Sequence, residues 1–128
     1  MSGREVTCCV LGNENLETLP IIEIIPNHGH KFFDFEAKYT KGATSELCPA
    51  DLSANISEQV IKCAKTAHRA LRCRTWSRTD MIIQKGKVFI LETNTIPGMT
   101  ENSLFPLAAR AAGLSLPQLL DRLIELSL

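Results

Sequence analysis

An α+β domain or a mixed α/β sandwich is the fold class this chain predicts, and three observations lead there. Two β-rich runs come first (Glu5 to Leu11 and Leu19 to Pro26). A long amphipathic helix follows. A central pair of strand-like runs, Thr75 to Ile83 and Lys87 to Asn94, then precedes two closing helices. Strands and helices grouped in this order pack as a sheet with helices laid on it. At 128 residues the chain is one domain or less. Folding a chain of this size buries roughly two-thirds of its unfolded surface, so a core is feasible.

Each element has a local reason. The first two runs are separated by Gly12-Asn13-Glu14-Asn15, which reads as a hairpin turn. Asn27-His28-Gly29-His30 reads as another turn, leading into an extended Lys31 to Phe35. From Glu36 to Pro49 little is apolar apart from Leu47, and a loop is expected; loops of about 12 or more residues in a compact domain are usually functional or mobile. The long helix runs from Ser53 or Asn55 to Leu71. Asn55 with Glu58 three residues on is a capping-box signature, and Ser53 is a competing cap. Ile56, Val60, Cys63, Ala64, Ala67 and Leu71 form its apolar stripe, while Lys62, Lys65, Arg69 and Arg72 form a solvated face. After the central strand pair and the loop Thr95 to Asn102, one helix spans Ser103 to Ala112 and is stopped by Gly113. The last spans Leu116 to about Leu126, with Ser115 as cap and Pro117 in its first turn.

Charge excludes some functions. Lys plus Arg (14) balances Asp plus Glu (14), so nothing recommends nucleic acid or an anionic membrane as partner. No apolar run approaches the ~20 residues needed to span a bilayer. The opening Met1-Ser2-Gly3-Arg4-Glu5 is no signal peptide. The five cysteines show no CxxC pair and no metal-ligand spacing, and are read as reduced structural residues of a cytoplasmic protein. Cys8 and Cys9, adjacent in a strand, are expected to face opposite ways.

The central pair carries the chemistry. Arg78, Asp80, Glu92 and Asn94 interrupt its apolar runs, which a purely structural hairpin has no reason to allow. With Lys85-Gly86 as the whole loop, Ile83 would pair with Val88, and Asp80 and Glu92 would face opposite sides. A three-residue loop, Gln84-Lys85-Gly86, with Gly86 in the left-handed position, pairs Ile83 with Lys87 and puts all four polar residues on one face. Met81, Ile83, Phe89 and Leu91 then make the apolar face. Mg²⁺ takes oxygen ligands and commonly combines one or two carboxylates with substrate phosphates, which suits Asp80, Glu92 and Asn94. Two close carboxylates repel unless a cation lies between them. Arg78 offers a phosphate or oxyanion a planar fork of donors. The plainer alternative is an Arg–Asp ion pair at a polar strand edge. Gly98 permits close backbone approach, so its N–H could serve an oxyanion. Ser103 opens a helix and is either an anion site, a cap, or both. Lys38 is a candidate phosphate ligand or a surface lysine.

Five ordered stretches resemble one family: Phe33 to Tyr39 (FDFEAKY), Cys48 to Ala50 (CPA), Trp76 to Asp80 (WSRTD), Leu91 to Thr100 (LETNTIPGMT) and Ser103 to Gly113 (SLFPLAARAAG). Together they are similar to the C-terminal part of D-alanine–D-alanine ligases, ATP-grasp enzymes of peptidoglycan precursor synthesis. The resemblance implies an α+β fold, a mostly antiparallel sheet packed with helices, forming the C-terminal ATP-grasp subdomain over 1–128. It implies ATP and two magnesium ions (manganese as substitute) held by Asp80, Glu92 and Asn94. Arg78 and the Gly98 amide would stabilise the oxyanion, and Ser103 with the Leu104 backbone would hold the carboxylate of the second D-alanine. Lys38 would contact the γ-phosphate, Tyr39 would help close the loop, and Glu5 would touch the ribose.

Family members are much longer. The N-terminal domain that binds the first D-alanine and the first half of the ATP-grasp domain have no counterpart here, and would come in cis or from a separate chain. Association into a homo-oligomer is expected. The rival readings are a non-catalytic binding or assembly module, and an ATP-grasp ligase with another amine acceptor. The stretch from Met99-Thr100 to Ser103-Leu104 speaks against the latter.

Overall fold

The computed structural model of the chain describes residues 3–26 and 44–128. Six strands and three helices are defined there: β1 (Arg4–Leu11), β2 (Glu17–Thr18), β3 (Ile22–Pro26), β4 (Thr44–Leu47), α1 (Ala54–Ala70), β5 (Trp76–Gln84), β6 (Lys87–Asn94), α2 (Leu104–Ala111) and α3 (Leu116–Ser127). The sheet runs in the order β4-β3-β1-β5-β6, with β2 also on β1, and every pairing is antiparallel. This is the α+β architecture expected from the order of elements.

Side-chain alternation along the central strands sorts residues onto two faces. One face presents Val6, Cys8, Val10, Met81 and Ile83, and α1 covers it through Val60 and Ala64. The other presents Cys9, Leu11, Ile22 and Ile24, packed by Phe105, Ala108, Leu119 and Leu123 of the closing helices. Those two helices cover the Leu11 end of this face, where Trp76 meets Phe105 edge-on at 5.4 Å between ring centroids. Cys8 and Cys9 thus belong to different cores, as adjacent strand residues must. All five cysteines are free. Burial pushes the Cys8 thiol up to about 12 and Cys9 well above its ordinary value, so both pack as protonated small hydrophobes.

Three expectations are corrected, and one pair of alternatives is resolved. Thr44–Leu47, inside the predicted loop, is an edge strand paired with β3 from Glu23↔Leu47 to Pro26↔Thr44. Backbone pairing at a sheet edge needs no apolar pattern. The cap of α1 is Ser53, whose hydroxyl accepts from the Ile56 N–H at 3.2 Å; Asn55 lies within the helix. Leu71 is the C-cap and is 59 % exposed, while His68 takes a buried place on the inner stripe.

The third correction concerns the hairpin. Its loop is two residues, Lys85 and Gly86, both left-handed (φ 51° and 75°), so Ile83 pairs with Val88. Such a turn matches the strand twist, which is why it wins over the longer loop. The offset that unites the polar residues comes instead from a β-bulge: Met81 pairs with Ile90 but Asp80 with Glu92, leaving Leu91 as the extra residue. Phe89, opposite Ile82, therefore lies on the polar face, and the apolar face is Met81, Ile83, Val88 and Ile90.

His68 ties three elements together. Its Nε2 lies 3.1 Å from the Gly12 carbonyl and its Nδ1 2.7 Å from the Ser77 hydroxyl. A carbonyl only accepts, so Nε2 carries the proton and Nδ1 accepts from Ser77. Burial lowers the ring's pKa, keeping it neutral. An unfolded histidine takes a proton below about 6.5, which the fold resists, so the stability from this residue is present above that pH and lost as pH falls. We predict that the stability gap between the wild type and His68→Gln, measured by urea denaturation, narrows from pH 7 to pH 5. A gap independent of pH contradicts the assignment.

A second prediction comes from the end of α1. The Cys73 N–H bonds the His68 carbonyl at 2.9 Å and the Arg72 N–H bonds the Arg69 carbonyl at 3.0 Å, a Schellman ending with Arg72 at φ 56° where glycine is usual. Arg72→Gly should raise stability by about 1 kcal/mol, since the left-handed conformation costs other residues roughly that much. An unchanged or lowered urea midpoint would count against it.

Candidate active site

The predicted residues meet on the sheet face opposite α1, beyond the part that α2 and α3 cover; Glu5, Arg78 and Asp80 are buried there, while Asn94 is half-buried and Glu92 exposed. Eight consecutive pairs join β1 to β5, placing Glu5 beside Ile82, Thr7 beside Asp80, Cys9 beside Arg78 and Leu11 beside Trp76. Across the hairpin, Asp80 faces Glu92 and Arg78 faces Asn94. Same-face residues on a strand are roughly 6–7 Å apart. Polar groups therefore follow one line along the face: Glu5, then Thr7 with Asp80 and Glu92, then Arg78 with Asn94. The predicted grouping of Arg78, Asp80, Glu92 and Asn94 holds, though a bulge rather than the turn produces it.

Asp80 is the best-held carboxylate. It is 4 % exposed and accepts from the Thr7 hydroxyl at 2.6 Å. Arg78 bonds both its oxygens, Nε to Oδ1 at 3.1 Å and Nη2 to Oδ2 at 3.3 Å. The ion pair offered as the plainer alternative is thus formed, between two buried groups. Pairing uses the same oxygens that metal ligation would need. Asn94 Oδ1 accepts from the Ile96 N–H at 2.9 Å, turning the chain at the end of β6. Among the described residues no buried side-chain nitrogen or oxygen lacks a partner.

The exit loop forms a second small cluster. A Cβ added at Gly98 would stand 2.9 Å from the Ser103 Oγ, so only glycine lets the loop lie this close. Ser103 occupies the N-cap position of α2, yet its hydroxyl does not cap that helix. It turns back to the loop, accepting from the Thr100 N–H at 3.1 Å and sharing a 2.7 Å bond with the Thr100 hydroxyl. The first amides of α2 are consequently not occupied by the cap. The Leu104 side chain is buried in the core, so this residue can offer a ligand only its backbone.

Glu5 is buried and borders a cavity of ≈ 200 Å³ with Ile24, Pro26 and Ile82 among its walls. Lys38 and Tyr39 lie outside the described residues. Thr7 was not among the predicted residues, although a polar residue two after Glu5 in an apolar strand has to share its face. The donors fit a hard cation: two carboxylates and an amide, all oxygen. Among the described residues no group of three His, Cys, Asp or Glu could hold a metal by itself. Such a site completes its shell with phosphate oxygens and water, as Mg²⁺ sites commonly do. No helix among the described residues is long and apolar enough to cross a membrane.

Similarity to known proteins agrees with this geometry. The chain is 58% identical over 126 residues to a D-alanine–D-alanine ligase of Syntrophobacter fumaroxidans, covering 98% of this chain and 40% of that protein. A Desulfotalea psychrophila D-alanine–D-alanine ligase is 54% identical over 129 residues, again with 40% of its length covered. This chain thus spans about 40% of the curated relatives it matches. The crystal structure of D-alanine–D-alanine ligase from Bacillus anthracis complexed with ATP superposes with a TM-score of 0.81 at 36% identity, covering 99% of this chain and 38% of that one. VanG D-Ala:D-Ser ligase from Enterococcus faecalis superposes at 0.79 with 37% identity, covering 100% and 37%. The family described as D-ala D-ala ligase C-terminus matches residues 1–125. An antiparallel sheet with one half-open polar face, bearing that family's pattern over nearly its whole length, makes this chain a member of the D-alanine–D-alanine ligase C-terminal family.

Proposed function

We propose that this chain supplies the C-terminal catalytic portion of an ATP-dependent ligase that joins two D-alanines for peptidoglycan precursor synthesis. The observation that carries the proposal is the line of groups on the open face: a buried carboxylate beside a cavity, then paired carboxylates, then a guanidinium, then the Gly98–Ser103 loop. A nucleoside, its phosphates and an acceptor would lie along that line in the same order. The first D-alanine site and the adenine contacts belong to the remaining part of the enzyme, in the same chain or a separate one. The assembled enzyme is a homo-oligomer.

In the reaction, the carboxylate of the first D-alanine takes the γ-phosphoryl group of ATP, giving an acyl phosphate and ADP. The amine of the second D-alanine then attacks the acyl carbon; a C–N bond forms, the bond to phosphate oxygen breaks, and the amine loses a proton. Two Mg²⁺ ions, or Mn²⁺ in their place, would be held by Asp80, Glu92 and Asn94 and would neutralise phosphate charge. Glu5 would accept from the ribose hydroxyls, and Lys38 would meet the γ-phosphate beneath a loop closed by Tyr39. Arg78 and the Gly98 N–H would stabilise the oxyanion of the tetrahedral state. With Asp80 engaged elsewhere, the guanidinium of Arg78 is released to do so. Ser103 and the Leu104 N–H, at a helix N-terminus whose amides are not capped, would bind the acceptor's carboxylate. A D-serine acceptor is the second reading, since VanG aligns with the whole chain at 37% identity. Offering D-serine against D-alanine as second substrate separates the two.

In a full-length ligase carrying this sequence, Asp80→Asn and Glu92→Gln should each lower kcat for phosphate release by about 100-fold or more. Glu92→Gln should leave the melting temperature nearly unchanged, whereas Asp80→Asn should lower it, because the buried Arg78 then loses its anionic partner. Activity retained in either refutes the metal assignment. Gly98→Ala should push the Ser103 hydroxyl off Thr100, destabilising the chain by about 1 kcal/mol. Its cost should shrink in a Ser103→Ala background, because the crowded atom is then gone. An equal cost in both backgrounds would show that the close approach is not what requires glycine.

A further inference from the structure

We infer that Thr7 is the residue that positions Asp80 for cation binding, an inference that rests on the metal reading above. Thr7 lies in the middle of β1 as the direct cross-strand partner of Asp80, and it is 1 % exposed. Its Oγ1 is 2.6 Å from Asp80 Oδ1 and 3.2 Å from the Thr79 carbonyl. An ionised carboxylate has no proton to give, so the hydroxyl proton must lie on the short bond, directed at Oδ1. That direction fixes the Thr7 rotor, and a branched side chain in a strand has little χ1 freedom to escape it.

Thr7 and Arg78 both donate to Asp80, and they are not equivalent. Arg78 binds at 3.1 and 3.3 Å, and under the proposed function it is the group that would turn to an anion when substrate arrives. A guanidinium serving phosphate or oxyanion cannot also keep both Asp80 oxygens. Thr7 is neutral, sits on the next strand and has no role toward substrate, so its bond persists when Arg78 leaves. It satisfies one lone pair of Oδ1, fixes the carboxylate plane and adds no charge to compete with a cation. Partners of this kind orient metal ligands, and their removal typically costs 10–100-fold in metal affinity.

The test uses a full-length ligase carrying this sequence, with saturating ADP to complete the metal shell, titrated with Mn²⁺, with the protein-bound ion read by electron paramagnetic resonance, for the wild type, Thr7→Val, Thr7→Ser and Asp80→Asn. Circular dichroism first establishes that each variant is folded. Thr7→Val keeps the shape and removes the hydroxyl; if it does not fold, Thr7→Ala reads the same loss. The expected result is Mn²⁺ binding by the wild type that Asp80→Asn abolishes, that Thr7→Val weakens about 10-fold, and that Thr7→Ser restores to near wild type. Packing alone would give the opposite ranking, since serine lacks the methyl group that valine keeps. Asp80-dependent binding unchanged by Thr7→Val overturns this inference alone. Absence of Asp80-dependent binding in the wild type overturns the metal reading and this inference with it.

Discussion

The unbroken pairing of β1 with β5, from Arg4↔Ile83 to Leu11↔Trp76, decides where everything else goes. Shifting it by one residue would send Asp80 and Arg78 beneath α1 and bring Met81 and Ile83 to the open face. The register is pinned by what lies on each side. Val6, Cys8, Val10, Met81 and Ile83 must stay against Val60 and Ala64, while Cys9 and Leu11 must meet the closing helices. The apolar core thus fixes the polar line by exclusion. A site built this way is positioned by residues that never touch a ligand.

Arg78 and Asp80 show how the fold tolerates charge inside that sheet. Both are nearly fully buried, and each is offset by the other, with Thr7 donating a further hydrogen bond to Asp80. A lone buried charge would cost several kcal/mol, whereas a paired one with further hydrogen bonds costs little on balance. Arg4 and Glu23, by contrast, make their contact at 2.7 Å on a more exposed part of the sheet, where such a pair contributes modestly.

Much of this was legible in the sequence, for identifiable reasons. Helix α3 announced itself through Ser115 and Pro117, and Ser115 does cap it, in a capping box whose other member, Gln118, was not singled out from the sequence. The mutual placement of Asp80 and Glu92 was also legible, because polar residues inside apolar runs share a face or break the core. What produced it was not. A period-two pattern records that an offset of one residue exists but not where along the hairpin it falls, so the turn at Gly86 and the bulge at Leu91 look alike on paper. His68 was missed because a buried histidine differs from a surface one only through partners, Gly12 and Ser77, that are distant in the chain. Leu71 misled because helical periodicity does not say where the helix stops.

The two walls of the site differ mechanically. Among the described residues β5 is paired on both sides, whereas β6 is paired only with β5 and carries the bulge. Asp80 consequently belongs to the stiff interior of the sheet, and Glu92 and Asn94 to a border strand whose local opening takes less free energy. Under the proposed function, ligands drawn from both would combine a fixed reference point with a compliant jaw. Such a pair would follow a phosphoryl group as it changes from a tetrahedral donor to a planar, transferring one, without moving the framework that holds it.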